Sequence, residues 1–483
     1  MSKSISIWKA LALAILFISC KTSNKKELAI SGPEMNPSAK SEVPDQIQRY
    51  SKYQDSSIVL INATIVDGTG NSIKRNQTII VENGRFKAIG KASETEIPPK
   101  STLINLKGKT VIPGFVGMHN HLHIPRFPFV GDIASKLYLA SGVTTIQTCG
   151  AASPVEELNL AYQIAEGSKV GPDIVPSAPF ITGEGGNPNM IIPRNEKHLR
   201  DTMQYWMKKG VKWFKVYRNT SPEDLKIIID EAHRNNAKVR GHLCSVTFEE
   251  ATKMGIDGIE HGLNSASDFR THKEAGICNG GREYMDELLI AGPEVKKLQQ
   301  LMIDNEVVLT STLSIYEASV PNRAYADDRT LETMSPYLLQ TYQERRKQFD
   351  KEIKDLTREG RLKRIMQFEY QFHKMGGLLC SGVDAGRHVL PGFGDQRNYE
   401  LLREAGFTTE EAVQIMTGNG AKALGRTDIG TVEQGKRADF VVLDGNLEED
   451  PTIIKKVETV FKQGVGYNPK RILEEVKGQF GKE

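Results

Sequence analysis

One stretch of the sequence decides the fold class, Pro113-Gly114-Phe115-Val116-Gly117-Met118-His119-Asn120-His121. It begins with a Pro-Gly break, continues as a short apolar segment and ends in two histidines two residues apart. Side chains at i and i+2 of a strand leave the same face, so both imidazoles would point to one spot at the strand's carboxyl end. Barrel proteins present metal ligands in this way, although a histidine pair by itself is equally compatible with positions that bind nothing.

Beyond this stretch, apolar strand-like runs alternate with amphipathic helical segments such as Ser221–Asn235 and Thr247–Met254. The alternation predicts parallel βα units, and eight of them predict an α/β fold with a (β/α)8 barrel of the TIM type. The charged segment Asn322–Phe372 is too long for one crossover, and we expect it to add helices beside the barrel mouth. The predicted barrel strands are Phe115–His121, Val143–Thr148, Ile174–Ile181, Val211–Tyr217, Lys238–His242, Gly258–His261, Val307–Thr312 and Gly377–Asp384.

Short β segments separated by glycine-rich turns flank the predicted barrel on both sides, for example Thr78–Val81 and Val457–Lys462. We therefore expect the barrel to be inserted into a small β-sandwich that the N-terminal and C-terminal segments form together. The expected organisation is a signal peptide at 1–19, a flexible linker at 20–54, the first part of the sandwich at 55–112, the barrel at 113–425, and the second part with a C-terminal tail at 426–483.

The amino terminus has the pattern of a targeting segment. Lys3 and Lys9 precede or flank the apolar run Ala10–Ile18, which is shorter than the roughly 20 residues that span a bilayer. Its end, Leu16-Phe17-Ile18-Ser19-Cys20, resembles a bacterial lipoprotein signal. This resemblance implies cleavage before Cys20, lipidation of its sulfur, and a place in the bacterial cell envelope with the lipid anchor as the only membrane contact. An ordinary secretory signal with an incidental cysteine is the alternative.

Composition and cysteine spacing exclude some classes of protein. The 39% apolar and 25% charged residues are ordinary for a globular chain, and a net charge of +3 without long basic blocks argues against a nucleic-acid partner. The wide spacing of Cys149, Cys244, Cys278 and Cys380 is neither a zinc-knuckle pattern nor a dense disulfide framework. Since Cys149, Cys244 and Cys380 lie in or just after predicted strands, we expect them to be buried free thiols.

Further polar residues end other predicted strands. In the fourth strand, alternation places Lys215 and Tyr217 on one face, and a lysine among apolar residues is costly to bury unless its charge is matched or removed. If this strand stood alone, a salt-bridged or snorkelling lysine would be the better explanation. However, six such polar residues would converge on the same rim of the barrel. Barrel enzymes build their active sites at this rim, so the convergence favours a functional role over a structural one. The converging residues are His119, His121, Lys215, His242, His261 and Asp384.

Together these motifs resemble the amidohydrolase superfamily of metal-dependent hydrolases, in particular the branch of imidazolonepropionase-related amidohydrolases and prolidase-like dipeptidases. The resemblance covers residues 57 to 467 and includes Gly142–Thr145 and the closing segment Ile429–Leu443. Two departures occur near the first strand. Gly117 stands where family members usually carry an acidic residue, and an extra His123 follows the histidine pair. The distance from the Pro-Gly break favours His119 and His121 as the metal-binding pair, rather than His121 and His123.

The resemblance implies two divalent ions per chain, most simply zinc, with manganese or iron as alternatives. It implies N-carboxylation of Lys215, which would bridge the two ions, and attack by a metal-bridging hydroxide. Asp384 would carry the proton to the leaving nitrogen. Tyr217 would donate to the oxyanion or to a substrate carboxylate, or else only pack at the barrel mouth. The implied ligands are His119, His121 and Asp384 for one ion and His242 and His261 for the other.

The resemblance implies cleavage of an amide or peptide bond in a small substrate, such as an Xaa-Pro or other dipeptide or an N-acyl amino acid. A mononuclear deaminase or imidazolone-type ring hydrolase is the alternative, but many such deaminases carry a glutamate where this chain has Ser245. A catalytically inactive envelope binding protein is a second alternative, which the intact ligand set disfavours.

Other residues near strand ends are candidates for substrate contact. Arg218, Arg387 and His388 are basic residues that would suit a carboxylate, and the loop Gly183–Asn187 is able to approach a substrate closely. The sequence leaves homo-oligomerisation open.

Overall fold

The computed structural model describes residues 44–123, 129–323, 326–351, 356–386 and 388–482. The expected signal peptide, Cys20 and Arg387 lie outside the described residues. Part of the expected linker is structured: helix α1 (Asp45–Tyr50) and strand β1 (Ser51–Tyr53) are held in place because Tyr50 is fully buried and its hydroxyl donates to Glu475. No helix within these ranges is long and apolar enough to cross a membrane.

A nine-stranded mixed sheet joins the two ends of the chain. Its central junction pairs β6 with β15 in antiparallel register, Phe440 opposite Pro113. The N-terminal and C-terminal β segments therefore share one sheet, as expected, while their division into a two-sheet sandwich stays a prediction. The strands are β1, β2 (Ser57–Ile65), β3 (Lys74–Glu82), β4 (Arg85–Lys91), β5 (Thr102–Asn105), β6 (Thr110–Pro113), β15 (Phe440–Leu443), β16 (Val457–Lys462) and β17 (Val465–Tyr467).

Parallel strands occupy all eight places that the sequence pattern predicts. They form a three-stranded and a five-stranded parallel sheet, each in chain order. The two sheets meet where Ile181 bridges Val216, and again where the Asp384 amide donates to the His119 carbonyl at 2.8 Å. Complete closure into a barrel stays a prediction. The strands are β7 (Phe115–Asn120), β8 (Val143–Thr148), β9 (Asp173–Val175), β10 (Trp213–Val216), β11 (Lys238–Gly241), β12 (Gly258–Glu260), β13 (Val308–Ser311) and β14 (Leu379–Ser381).

Helices follow the parallel strands, and their ends carry the expected signals. The helix after β10 is capped by Ser221, whose hydroxyl accepts from the Asp224 amide, and the helix after β11 is capped by a Thr247–Glu250 capping box. The helices are α2 (Gly131–Ala140), α3 (Pro154–Ala165), α4 (Glu196–Lys208), α5 (Pro222–Arg234), α6 (Phe248–Met254), α7 (Tyr284–Glu287), α8 (Pro293–Asp304), α9 (Leu313–Glu317), α10 (Asp328–Thr333), α11 (Pro336–Lys351), α12 (Leu356–Lys374), α13 (Phe393–Glu404), α14 (Thr409–Met416), α15 (Gly418–Ala423) and α16 (Pro469–Val476).

The long charged segment between β13 and β14 supplies helices α10, α11 and α12, in agreement with the sequence pattern. Buried apolar side chains on these helices, such as Leu338 and Phe368, join the main hydrophobic cluster that also packs the parallel strands. A separate apolar cluster lies in the nine-stranded sheet. The segment is thus packed onto the protein and can contribute a wall to a site at the strand ends.

Candidate active site

A cavity of about 830 Å³ lies at the carboxyl ends of the parallel strands. The structure brings together in its wall the six residues expected to bind metal, with Tyr217 beside them. It also places His123, the histidine that follows the pair, in the same wall. The strand-end residues lining the cavity are His119, His121, Lys215, Tyr217, His242, His261 and Asp384.

Asp384 lies among three imidazoles. Its Oδ1 is 3.1 Å from Nε2 of His121 and 3.4 Å from Nε2 of His119, and its Oδ2 is 3.7 Å from Nδ1 of His261. Both Asp384 and His261 have positive φ, 48° and 73°, a conformation that non-glycine residues adopt at a cost. Gly382 makes the approach of its strand end to β7 possible, because a Cβ there would lie 2.3 Å from the His119 amide nitrogen.

His119 is oriented from beneath by a buried ion pair. Its Nδ1 lies 2.6 Å from Oε2 of Glu260, whose other oxygen is 2.7 Å from Nε of Arg240. Burial alone would raise the pKa of Glu260, but the Arg240 guanidinium holds it well below the usual range. An ionised Glu260 accepts the Nδ1 proton, so the His119 Nε2 that faces Asp384 is the atom available to a ligand.

The histidine rings pack closely against one another in tilted and edge-on arrangements. The ring centroid of His261 is 4.6 Å from that of His119 and 4.5 Å from that of His242. Burial, reinforced by Lys215, lowers the pKa of His242 to about 3, and burial also lowers the pKa of His261 well below its usual value. His119 is the exception: burial disfavours its charged form, yet the acidic groups around it hold its pKa above the usual range.

Lys215 is buried at the end of β10 beside a free thiol. Its Nζ donates to Sγ of Cys149 at 3.2 Å, and both residues are 1% exposed. Cys149 is a buried free cysteine, as expected, but its place next to Lys215 was not foreseen. Among the described residues no carboxylate forms an ion pair with Lys215, and a buried ammonium without such a partner is costly.

The donor set fits divalent cations. His119, His261 and Asp384 offer ligand atoms within 4.8 Å of one another, and so do His119, Cys149 and Glu260. His121 adds a third imidazole beside Asp384, and the buried Nδ1 of His121 has no hydrogen-bond partner among the described residues. Imidazoles with an ionised carboxylate are ligands that zinc and related ions bind. A cation would displace the proton from His119, since binding releases protons from its ligands.

Tyr217 packs against the histidine cluster. Its ring centroid is 4.8 Å from that of His242 and 6.0 Å from that of Phe180. Both of its expected roles, as a donor or as a packing ring, are compatible with this position. The loop Gly183–Asn187 reaches the cavity through Asn187.

Of the basic residues proposed for a carboxylate, His388 lines the cavity and Arg218 does not. The Arg218 guanidinium instead contacts Sγ of Cys278 at 3.6 Å.

The expectation of a free thiol at Cys244 is wrong. Cys244 and Cys278 form a disulfide, while Cys149 and Cys380 are free and buried. The 34-residue separation gave no spacing signal, and the long segment after His261 folds back so that the two Cα atoms lie 4.9 Å apart. The disulfide therefore connects that segment to the loop after β11, at Cys244, two residues beyond His242.

Three residues that matter for the site were missed by the sequence reasoning. Arg240 and Glu260 were read as parts of strands rather than as partners, although Arg240 lies two residues before His242 and so shares its strand face. Arg345, on α11, lines the cavity but comes from a helix whose position no local pattern specifies.

Comparisons with known proteins find similarity to amidohydrolases. Residues 393–466 match the model of the amidohydrolase family. The chain is 37% identical to a dihydroorotase from Caldicellulosiruptor saccharolyticus over 91 residues, 18% of this chain and only 21% of that enzyme, so it spans about a fifth of that relative's length. It is 22% identical to an imidazolonepropionase from Streptomyces griseus subsp. griseus over 80% of this chain and 91% of the other.

Two solved structures share the fold over nearly their whole length. A putative prolidase from Bifidobacterium longum aligns with a TM-score of 0.65 and 25% identity, covering 87% of this chain and 99% of that one. A Xaa-Pro dipeptidase with bound methionine in its active site aligns with a TM-score of 0.64 and 18% identity, covering 86% and 100%. One segment of the chain thus matches the amidohydrolase family, most of the chain is similar to an imidazolonepropionase, and the cavity contains groups of residues that could hold a metal ion.

Proposed function

We propose that this protein is a binuclear amidohydrolase that cleaves the C–N amide or peptide bond of a small substrate, either a dipeptide such as Xaa-Pro or an N-acyl amino acid. The observation that carries the proposal is the convergence, in one cavity, of four histidines, a buried lysine and Asp384. Closure of the eight parallel strands into a barrel belongs to the same proposal, because it would hold these strand ends in a ring.

In this proposal His119, His121 and Asp384 hold one cation and His242 and His261 the other. Lys215, once N-carboxylated, would offer carboxylate oxygens as further ligands. The cations, expected to be zinc, supply when bound a water that is nucleophilic near neutral pH.

The remaining chemistry belongs to the chain's own residues. Asp384 accepts a proton from the attacking water at its carboxylate and returns it to the leaving nitrogen. Glu260 keeps the His119 ring in one tautomer and orientation. Tyr217, whose ring packs beside that of Phe180, donates to the oxygen of the scissile carbonyl in this proposal.

The deaminase alternative is disfavoured by Ser245. The side chain occupying the position of the missing glutamate is engaged elsewhere, because its hydroxyl bonds to the carbonyls of Arg218 and Thr220. It therefore supports the neighbouring loop and supplies no acid to the cavity. Cleavage of a cyclic amide is kept as the second candidate because of the similarity to imidazolonepropionase over most of the chain.

The test combines metal analysis with a substrate screen. We expect two divalent ions per chain, and hydrolysis of Xaa-Pro dipeptides, other dipeptides or N-acyl amino acids that is lost after chelation and restored by zinc. Asp384→Asn should abolish turnover. Ammonia release from aminopurines, or ring opening of an imidazolone without activity on linear amides, would contradict the proposal.

We also propose a location in the bacterial cell envelope, with residues 1–19 removed and Cys20 lipidated. The Cys244–Cys278 disulfide supports it, because disulfides persist mainly in oxidising compartments. Fractionation of cells that express the full chain should find the protein with membranes, and Cys20→Ala should release it or leave it unprocessed. A full-length cytosolic product with both thiols reduced would contradict this location.

A further inference from the structure

The segment that carries one half of the disulfide, residues 271–281 before α7 (the Cys278 segment), has little apolar anchorage of its own. Most of its first seven residues are exposed, and Ile277, the largest apolar side chain among them, is 51% exposed. The segment closes on itself, since the Gly281 amide donates to the Thr271 carbonyl at 2.9 Å. A stretch with few buried apolar contacts opens more easily than a core, so its position depends on the bonds to its neighbours.

Two bonds tie the Cys278 segment to the loop after β11. The disulfide joins Cys278 to Cys244, and Nζ of Lys273 donates to the Ser245 carbonyl at 2.9 Å. The hydrogen bond competes with water because Lys273 is partly exposed, whereas the disulfide is covalent. The disulfide is therefore the stronger of the two restraints on this loop.

The loop after β11 is continuous with the ligand set, because His242 lies two residues before Cys244. The His242 amide donates to the Val216 carbonyl at 3.1 Å, and the Ser245 amide donates to the Arg218 carbonyl at 2.9 Å. Both acceptors lie at or just beyond the end of β10, so Cys244 sits between two hydrogen bonds that hold the loop beside that strand end. A restraint on Cys244 therefore also restrains the backbone from which the His242 ring extends.

We propose that the Cys244–Cys278 disulfide is a redox-sensitive positioning device for His242. With the bond formed, the loop after β11 holds the His242 ring in the ligand set. With the bond reduced, the Cys278 segment is released and His242 is held less firmly. The proposal rests on the proposed function, in which His242 and His261 hold one of two ions. Reduction then lowers the occupancy of that ion, so the enzyme is complete in an oxidising compartment and incomplete in a reducing one.

Cys278 is the sulfur that a reductant can reach, because it is partly exposed while Cys244 is 1% exposed. A thiolate of a dithiol reductant attacks Sγ of Cys278, the S–S bond breaks, and Cys244 leaves as a thiolate that takes up a proton. The second thiolate of the reductant then attacks the mixed disulfide, which closes the reductant's own disulfide and releases Cys278 to take up a proton. Two electrons and two protons thus pass from the reductant to the protein.

The experiment measures zinc affinity by chelator competition and needs no substrate. Native protein is reduced with dithiothreitol, freed of it under nitrogen, loaded with zinc and compared with protein kept oxidised. We expect one of the two ions to bind about 10-fold more weakly after reduction and the other to bind as before. Cys244→Ala/Cys278→Ala should show the same weakening without reductant and no further change with it, which excludes zinc binding by the released thiols as the cause.

Asp173→Asn is the matched control for a general loss of stability. Asp173 pairs with Lys462 and Arg437 at the start of β9, whereas the cavity lies at the carboxyl ends of the strands. Its substitution should cost about as much stability as loss of the disulfide and leave both zinc affinities unchanged. Equal weakening in Asp173→Asn and in the double cysteine variant would show that destabilisation alone is responsible, which would overturn the positioning role.

The outcomes separate this proposal from the function on which it rests. Two ions held equally tightly by oxidised and reduced protein would overturn the positioning role while the proposed function stands. Oxidised protein that binds no second ion would overturn the binuclear function and the positioning role with it. For any amide that the native enzyme cleaves, kcat at limiting zinc should fall on reduction and return with excess zinc. A loss that excess zinc does not reverse would contradict a role through His242.

Discussion

Glu260 illustrates how a buried charge organises the candidate site. It bonds His119 at 2.6 Å and pairs with Arg240, which also donates to the Met118 carbonyl at 2.9 Å. We predict that Glu260→Gln lowers metal affinity by about 10- to 100-fold, the usual effect of losing a residue that orients a ligand. It should also lower the free energy of unfolding by about 3–5 kcal/mol, because Arg240 is left buried without its counter-charge.

Chelator competition would measure the metal affinity, and denaturant unfolding of the metal-free protein would measure the stability. Glu249→Gln is the control, since Glu249 forms an exposed i,i+4 pair with Lys253 and should change neither quantity by much. A Glu260→Gln protein with native metal affinity would mean that the His119 tautomer is set by something other than this carboxylate.

Substitution of Lys215 distinguishes a site for two metal ions from a site for one. An ammonium between two cations would repel both, so only a carboxylated lysine makes sense as a shared ligand. We predict that Lys215→Ala removes most activity and reduces the metal content below two per chain while the fold is kept. Short carboxylic acids should restore part of the metal content by taking the vacated place.

Lys212→Ala is the control, because Lys212 is exposed and immediately precedes β10. Metal analysis and circular dichroism of both variants would settle the point. Two tightly bound ions and native turnover in Lys215→Ala would show that Lys215 is an ordinary strand lysine.

The sequence predicted the site residues whose position follows from the local strand pattern. It did not predict the residues whose role depends on contacts with distant parts of the chain. Histidines two apart in a strand, or single polar residues at strand ends, follow from backbone alternation and from the shared carboxyl end of parallel strands. The pairing of Glu260 with Arg240 depends on the packing of side chains from neighbouring strands. Arg345 depends on the path of an inserted helix, which no periodicity specifies.

At the scale of elements, the sequence predicted which strands are present but not the residues at which two of them end. The third parallel strand was expected at Ile174–Ile181 but ends at Val175, with isolated bridges at Pro179 and Ile181. Pro176 and Pro179 explain the difference, since proline has no N–H to continue a ladder of hydrogen bonds. The eighth strand ends at Ser381, and Asp384 beyond it has left the extended conformation.

The disulfide is the element-scale feature with the largest expected effect. It ties the segment around Cys278 to the loop after β11, and closing a loop of 34 residues contributes about 2–4 kcal/mol to stability. We predict that Cys244→Ala/Cys278→Ala lowers the free energy of unfolding by this amount, and that a reductant has the same effect on the native protein. Denaturant unfolding with and without dithiothreitol measures both.

The double variant is its own control, because a reductant should not destabilise it further. Native protein whose stability is indifferent to the reductant would show that the disulfide contributes nothing, and its value as an argument for an oxidising compartment would fall with it.

At the scale of the whole molecule, one carboxylate links the nine-stranded sheet to the parallel strands. Asp173, at the start of β9, pairs at 2.7 Å with Lys462 of β16 and at 2.7 Å with Arg437. Burial alone would raise the pKa of Asp173, but Lys462 and Arg437 hold it well below the usual range. The link therefore exists in its charged form throughout the neutral range.

We predict that Asp173→Asn lowers the free energy of unfolding by about 2–4 kcal/mol at pH 7, because two largely buried cations lose a shared partner. A lowered pKa in the folded state stabilises the fold above the unfolded pKa of about 3.9, and the gain is lost as pH falls through the folded pKa. The difference in the free energy of unfolding between native protein and variant should thus stay constant from about pH 8 to 5 and shrink below about pH 4.

Asp201→Asn is the control. Asp201 forms an exposed i,i+4 pair with Lys197, so this substitution should change stability little at any pH. If Asp173→Asn is as stable as the native protein at pH 7, this charged link contributes nothing measurable to the packing of the sheet on the parallel strands.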